Sequence, residues 1–424
     1  MTFAPQSPDM ALEMNWVSRD QAERIALVRQ NCYGHRRDQQ QKFVDSVVHD
    51  HRQHDGDFLV ARDGNQDVGT ATSLSLRLNL RGASLPCQGV AWVGTAKTHR
   101  RASSPSQTTA PSSGVATQVM HATLARARER GQFVSALMPF RGSFYEHFGY
   151  GNAERRTEWT LPTAILPKGE FSGIRFVEPA GDLPQLLDLR SREFTKQHGD
   201  IASDAASMNY WISQVWTSGM AVVDQEASRF ASYCFFSEER NDKIATLVSD
   251  DWSCESPEAF KRLLYWMASL KDQYSFVRIT TPGDWPINHL LRESQLPHRQ
   301  VDHPHASARP FTRMQIRVLD HVRVLEQMRL HSTLAGEVVV YIKECEGTIN
   351  KLLLHFGDGL VSAKPTTQEP DVVLTDACWA SLVAGQFVAR EAIAWGLLET
   401  TVPDKARLLN AFGAGPLPWC QEYF

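Results

Sequence analysis

The stretch from Gly89 to Gly151 reads GVAWVGTAKTHRR (89–101), ASSPSQTTAPSS (102–113), GVATQVMHATLARARERGQFVSALMP (114–139) and FRGSFYEHFGYG (140–151). Gly89 to Ala96 is nearly apolar on both faces, which predicts a central strand. It runs into Arg100 and Arg101. Val115 to Arg130 carries Val115, Val119 and Leu124 at helical spacing and stops at Gly131, so a helix opens at Gly114-Val115-Ala116. Phe133 to Met138 predicts the next strand, and a tyrosine-bearing turn follows. A strand, a basic loop and a helix start in this order make an anion site, because free backbone N–H groups and the helix dipole converge there.

The rest of the composition limits the function. The chain has 424 residues, 42% hydrophobic and 22% charged, as expected of an ordinary globular protein of several domains. A formal net charge of −4 offers no polyanion-binding surface, so nucleic acid is a poor partner. The seven cysteines, Cys32, Cys87, Cys234, Cys254, Cys345, Cys378 and Cys420, are scattered and contain no CxxC pair. That argues for a reducing compartment and against structural zinc or a disulfide framework. His49, His51 and His54 have metal-like spacing but read as the end of a surface helix, and His303 and His305 as loop, so no metal is expected. The start, MTFAPQSPDMALEMNW, shows no signal peptide, and the best apolar run, Ala380 to Leu398, is broken by Arg390 and Glu391. A cytoplasmic protein with no membrane partner is expected.

Outward from the opening stretch, the first segment is mixed α/β. Arg19 to Asn31 and Asp38 to Asp50 read as helices; Phe58 to Arg62 and Val68 to Asn79 read as strands joined at Asp63-Gly64-Asn65. Glu158 to Leu161 is expected to close the sheet, and Leu166 to Gly169 reads as a linker. From about Phe171 to Pro310 the order repeats: helix Leu183 to His198, strands Arg229 to Phe236 and Lys243 to Ser249, helix Pro257 to Leu270, strand Ser275 to Thr280. In DDWSCESPEAF, Ser256 is a helix N-cap with Pro257 at the first helical position. Asp250, Asp251 and Glu255 put negative charge at that helix start, so this second copy should hold no pyrophosphate. A third segment begins near Thr312. Its expected strands are Arg313 to Arg317, Glu337 to Ile342, Lys351 to Phe356, Leu360 to Ala363 and Asp371 to Thr375; its helices are Cys378 to Gly385 and Arg390 to Leu397.

The order within residues 89–151 resembles the coenzyme A core of the GNAT acetyltransferases. THRR, GVA and FYEHFGYG narrow the resemblance to the Eis-like (enhanced intracellular survival) group. DVVLTDACWASLVAGQF followed by REAIAWGLLE resembles a sterol-carrier-like domain, and the ending PLPWCQEYF resembles the close of Eis-like chains. The resemblance implies a mixed α+β architecture of two tandem GNAT-type domains, the second degenerate, and a sterol-carrier-like domain, with limits at 1–165, 166–311 and 312–424. It implies an N-acetyltransferase that takes acetyl-CoA and a primary amine (aminoglycoside-like, polyamine or lysine), assembled as a homo-oligomer, often a hexamer.

Acetyl transfer needs donors for the carbonyl oxygen, a neutral amine, and a proton for the leaving thiolate. The family positions that match are Val93, Gly94 and Thr95, with the Val93 amide as carbonyl donor. Tyr145 matches the general acid, with Tyr150 as a competitor five positions on. The carboxylate of Phe424 matches the general base, and Glu422 is a second base or a cation-attracting group. Trp92 matches a position lining the acceptor pocket, where an aromatic face suits a cation; a core tryptophan is the other reading. Arg100, Arg101, Gly114, Val115 and Ala116 match the phosphate site. The sequence departs from the family in one place: Ala102 to Ser113 separates the arginines from the glycine. Two outcomes stay open. Either this segment loops out and leaves the phosphate cradle intact, or it displaces the arginines and yields a catalytically inactive binding protein. A lipid carrier using the third segment is a further reading.

Overall fold

The computed structural model describes residues 12–49, 52, 56–100, 114–204, 206–209, 220–226, 228–242, 244–295 and 305–424. Their strands form three sheets. The first has the order β1 (Glu13–Val17), β2 (Phe58–Asp63), β3 (Gln66–Leu80), β4 (Ala83–Thr95), β5 (Val134–Leu137), β14 (Gln315–Val318), β6 (Gly151–Asn152). Helix α1 (Ala22–Tyr33) and helix α2 (Gln40–Val48) lie between β1 and β2 in the chain. Helix α3 (Val115–Glu129) is the crossover that makes β4 and β5 parallel, and α4 (Gly142–Glu146) carries Tyr145.

The second sheet has the order β13 (Ser307–Phe311), β7 (Arg156–Pro162), β12 (Phe276–Pro282), β11 (Ile244–Cys254), β10 (Arg229–Asn241), β9 (Met220–Glu226), β8 (Ile174–Phe176). Helix α5 (Pro179–Lys196) follows β8. Strands β11 and β12 are parallel across helix Pro257–Ser269, which repeats the β4–α3–β5 unit. Ser256 caps that helix by accepting the Ala259 N–H at 3.1 Å, as its sequence predicts. The third sheet has the order β17 (Leu360–Pro365), β16 (Ile349–Gly357), β15 (Gly336–Lys343), β18 (Val372–Thr375), β19 (Leu398–Thr400). This is the tandem GNAT-type α+β architecture expected from the sequence.

Two strands do not go where the sequence places them. Arg156–Pro162, expected to close the first sheet, instead pairs with β12 and β13 in the second. Gln315–Val318, expected in the third segment, fills the gap between β5 and β6 in the first. Alternation along a strand fixes which faces are buried but not which neighbour supplies its hydrogen bonds. Sheet membership therefore crosses the limits 1–165, 166–311 and 312–424. Strand β4 also starts earlier than expected. Arg81 (φ 46°) and Gly82 (φ 74°) form a two-residue hairpin turn with both φ positive, and Leu80 faces Ala83 across it.

One apolar core joins the first and third sheets. It runs from Leu74, Leu85 and Cys87 through Val340, Leu354, Trp379 and Phe412 to Phe424. On the other face of the first sheet, Val90, Met120, Leu124, Leu137, Tyr145, Phe148 and Tyr150 pack around α3. The second sheet has its own core, and Trp419 enters it. All seven cysteines are free thiols. No helix among the described residues is long and apolar enough to cross a membrane.

Candidate active site

The site is built on the second half of β4. Its pairing with β5 covers Cys87 to Val90 only, whereas its pairing with β3 continues to Thr95. From Ala91 onward the β5-facing side of β4 has no strand partner among the described residues, because β5 ends at Leu137 opposite Val90, and this unpaired opening is the splay of the site. A bulge sits in this open half. Thr70 faces Gly94 and Thr72 faces Ala91, so Trp92 and Val93 together oppose Ala71. Trp92 has φ 54°, an uncommon conformation for a bulky residue, and this turns the strand locally.

Helix α1 supports the bulge from one side. The Tyr33 hydroxyl donates to the Val93 carbonyl. The Arg29 guanidinium lies 4.3 Å from the Trp92 ring centroid and donates to Thr72 Oγ1 at 3.0 Å. Tyr33 and Phe43 meet the same indole edge-on, at 5.8 and 6.3 Å. The aromatic face expected to meet an acceptor cation thus already carries an intramolecular one. Gly94 is needed for close approach, since a Cβ there would stand 2.8 Å from Cys32 Cβ and 2.9 Å from the Tyr33 hydroxyl.

The two candidate tyrosines differ in what they touch. Tyr150 is fully buried and its hydroxyl lies 2.6 Å from Ser135 Oγ. Ser135 donates to Gln88 Oε1 (2.8 Å), and Gln88 Nε2 donates to Ser73 Oγ (2.6 Å) and the Thr123 carbonyl (2.7 Å). This closed chain leaves Tyr150 structural. Tyr145 packs among Phe140, Phe144 and Tyr150, at centroid distances of 5.9, 4.9 and 6.1 Å. Among the described residues no group is hydrogen-bonded to its phenol. Burial pushes that phenol up to about 12, so it holds its proton at neutral pH.

The last eight residues form a strap between the first and second sheets. Leu417 N–H donates to Asp284, Trp419 N–H to the His198 carbonyl (2.7 Å), and Cys420 N–H to Glu154 Oε2 (3.1 Å). Gln421 N–H donates to Asp200 Oδ1 (2.9 Å), and Arg156 donates to the Cys420 carbonyl at 2.6 Å. Arg52 donates to the Tyr423 carbonyl. At the end of the strap Phe424 is buried against β4: a Cβ on Gly89 would stand 3.0 Å from its ring. Gly89 and Val90 point to opposite faces. Phe424 therefore meets β4 from the side of the third sheet and Tyr145 from the side of α3.

Glu422 is 5% exposed and sits near Arg190, Asp200 and Asp251. Burial pushes its carboxyl up to about 6, against the pull of Arg190, and the two aspartates push the same way. The raised value has a stability consequence. Between about 4.5 and about 6 the folded chain holds a proton that the unfolded chain has lost, so stability falls as pH rises through that window. Below it both states are protonated and the penalty vanishes. Above it the full penalty, ~2 kcal/mol, applies. Glu422→Gln should therefore match the parent near pH 4.5 and exceed it by that order above pH 6.5, read from denaturant midpoints at several pH values. A parent and variant that run parallel across the window would contradict it.

At the phosphate end, Gly114, Val115 and Ala116 stand at the α3 N-terminus, with no acidic residue in the first turn. The helix start is seated on β3, where a Cβ on Gly69 would stand 2.7 Å from Val115 Cγ1. Arg100 is spent differently from the expectation. Its guanidinium donates to the carbonyls of Cys32 (3.0 Å) and Thr95 (3.3 Å), at the negative end of α1. Arg101 and the segment Ala102 to Ser113 lie outside the described residues.

Comparison with known proteins agrees with this layout. The acetyltransferase (GNAT) domain signature matches residues 15–153. An uncharacterized N-acetyltransferase of Streptomyces avermitilis is 26% identical over 397 residues, covering 86% of this chain and 88% of the relative. N-acetyltransferase Eis of Mycobacterium tuberculosis is 24% identical over 382 residues, covering 85% and 87%. The crystal structure of Eis1 from Mycobacterium abscessus superposes with a TM-score of 0.77 at 18% identity, covering 98% of this chain and all of that one. A GCN5-related N-acetyltransferase from Anabaena variabilis gives 0.81 at 18% identity, over 98% and 100%. The chain carries a GNAT acetyltransferase domain and resembles N-acetyltransferases, Eis among them, over most of its length.

With that domain and those relatives it is an acyltransferase. Sequence reading of this Eis-like chain misses Arg29, Tyr33 and Glu154. Arg29 and Tyr33 sit on one turn of α1 with no motif around them; only their four-residue spacing on a helix otherwise apolar on that face could have drawn notice. Among the described residues one group, Cys345, Glu346 and Asp376, brings possible metal-ligand atoms within 4.8 Å of one another. Arg317 already places its guanidinium 2.6 Å from Glu346, supplying the positive charge there. His51, His54 and His303 lie outside the described residues.

Proposed function

We propose that the chain moves the acetyl group of acetyl-CoA to a primary amine in the splay of β4 and β5. The observation that carries the reading is the open, bulged half of β4 with Tyr145 on one side and the strap's end on the other. The start of α3 would take the pyrophosphate through its backbone N–H groups. The Val93 amide would donate to the acetyl carbonyl as charge builds on its oxygen. The amine nitrogen forms a bond to the carbonyl carbon, the carbon–sulfur bond breaks, and the amine gives up a proton. The Phe424 carboxylate is the base for that proton, with Glu422 as the alternative. Tyr145 returns a proton to the thiolate sulfur. The burial that keeps the phenol protonated would also raise the thiol formed beside it, which favours the transfer. The acceptor class (aminoglycoside-like, polyamine or lysine amine), the sterol-carrier-like reading of 312–424, the three-domain limits and a homo-oligomer belong to the same proposal.

Tyr145→Phe should lower turnover about 100-fold, the usual contribution of a positioned acid, with little change in acetyl-CoA affinity measured by calorimetry. Tyr150→Phe should instead lower the melting temperature, because it removes one member of the Ser135–Gln88 chain. Equal turnover for Tyr145→Phe and the parent would remove Tyr145 from the mechanism. A folded parent that gives no heat on titration with acetyl-CoA would remove the whole reading.

A further inference from the structure

Tyr145 sits on a five-residue helix, α4, and a helix that short keeps its place only through what it docks on. The chain continues from it into Phe148-Gly149-Tyr150. Phe148 N–H (2.9 Å) and Tyr150 N–H (3.3 Å) both donate to the Tyr145 carbonyl, and Gly149 N–H donates to the Glu146 carbonyl (3.0 Å). Tyr145 therefore moves with this turn. The Phe148 carbonyl in turn accepts from Arg317 Nη1, on β14, at 2.9 Å.

Arg317 is itself fixed by the third sheet. Its side chain is buried, and Nη2 donates to Glu344 Oε2 (3.2 Å) and to both oxygens of Glu346 (2.7 and 2.6 Å), on the turn between β15 and β16. Glu344 Oε1 accepts from Asn350 Nδ2 (2.7 Å) and from His321 Nε2 (2.9 Å). Trp379 Nε1 donates to His321 Nδ1 (3.0 Å), which puts the imidazole proton on Nε2. Burial works against ionising Glu346, but the bonds from Arg317 prevail and hold its carboxyl down to about 2, so the pair stays charged at neutral pH.

The same turn rests closely on the helix Asp376–Val383. A Cβ on Gly149 (φ 74°) would stand 2.3 Å from Asp376 Oδ2, and one on Gly151 would stand 1.9 Å from the Ala377 carbonyl oxygen. Asp376 is held by Cys345 N–H (2.8 Å) and Ala377 N–H (2.9 Å). A guanidinium suits the junction because it is planar and forked: one arm reaches the Phe148 carbonyl while the other meets two carboxylates. We infer that Arg317 is a positioning residue for acetyl transfer, holding the Tyr145 turn against the third sheet so that the phenol keeps its place at the splay. The inference rests on Tyr145 as the acid of the proposed mechanism.

Arg317→Lys keeps the charge but offers a single point donor, which cannot serve the carbonyl and both carboxylates together. It should lower kcat about tenfold or more, with the acetyl-CoA Kd from calorimetry within about twofold of the parent, because misplacing a reacting group costs rate rather than affinity. A double-mutant cycle is the decisive measurement. In a Tyr145→Phe chain, which has no acid to misplace, Arg317→Lys should change kcat by less than about twofold. If Arg317→Lys does not fold, Glu346→Gln, on an exposed turn, takes its place in the same cycle, with a loss of about threefold or more where Tyr145 is present. An equal drop in both backgrounds would make Arg317 merely structural and overturn the inference, as would a parent-like kcat in Arg317→Lys while Tyr145→Phe stays slow. Tyr145→Phe as fast as the parent would instead overturn the acid reading, and this inference with it.

Discussion

A chain ending at Tyr423 should turn over about 100-fold or more slowly than the full chain, while Phe424→Leu should stay within a few-fold of it. The two variants separate the carboxylate from the ring. Phe424 is 9% exposed and packs in the core shared by the first and third sheets. Deleting it removes that packing, about 2–4 kcal/mol, and moves the terminal carboxylate back by one residue. Leucine at 424 keeps the carboxylate at the chain end and most of the apolar volume, costing about 1–2 kcal/mol. A positioned base contributes about 100- to 10,000-fold, well above what a loosened ring would take from kcat. Adding one glycine after Phe424 moves the carboxylate about 3.5 Å while keeping the ring, and should resemble the deletion in rate and the parent in stability. Measuring kcat and thermal midpoint on all three decides the matter. Deletion and glycine extension that both retain the parent rate would show that the strap's end is structural and that the proton goes elsewhere, with Glu422 the next candidate.

Glu154→Ala should be the most destabilising single exchange near the site. Glu154 is fully buried and accepts four hydrogen bonds: from Arg313 N–H (2.8 Å), Met314 N–H (2.9 Å), Cys420 N–H (3.1 Å) and Arg156 Nη1 (3.3 Å). It therefore ties the β6–β7 connection, the approach to β14 and the strap to one carboxylate. Alanine would leave the Arg156 guanidinium, itself buried, without its carboxylate and three backbone amides without an acceptor. Breaking a buried pair in this way costs about 3–5 kcal/mol, and the orphaned amides add to it. The expected readout is a lower urea midpoint together with faster proteolytic release of the C-terminal tail. Glu154→Gln keeps the shape and one acceptor oxygen and should lose about half as much. A Glu154→Ala chain as resistant as the parent would mean that water replaces the carboxylate at all four donors.

The parts legible in the sequence were those set by local chemistry. The helix that stops at Gly131 and the Ser256 cap with Pro257 behind it depend on neighbours within a few residues, and each is where its residues put it. The central character of β4 was legible because both its faces are apolar. What stayed hidden depends on partners far along the chain. Arg156–Pro162 and Gln315–Val318 alternate as strands should, yet nothing in alternation says that they exchange sheets. The Arg81-Gly82 turn, which opens β4 six residues before the apolar run at Gly89, was not read from the sequence. The bulge at Trp92 and its support by Arg29 and Tyr33 join residues some sixty positions apart. Tyr150 could be separated from Tyr145 only by seeing Ser135 beside it.

The strand exchange also sets a clock. The first sheet cannot fill the place between β5 and β6 until β14 has been made, some 160 residues after β6. At the usual 5–20 residues per second, a ribosome needs roughly 10–30 s for that length. During this interval the β5 edge opposite β4 stands uncovered, with an apolar Val134–Leu137 strand ready to pair with any passing edge. Production of this chain should accordingly respond to translation speed and to holding chaperones more than its final compactness would suggest.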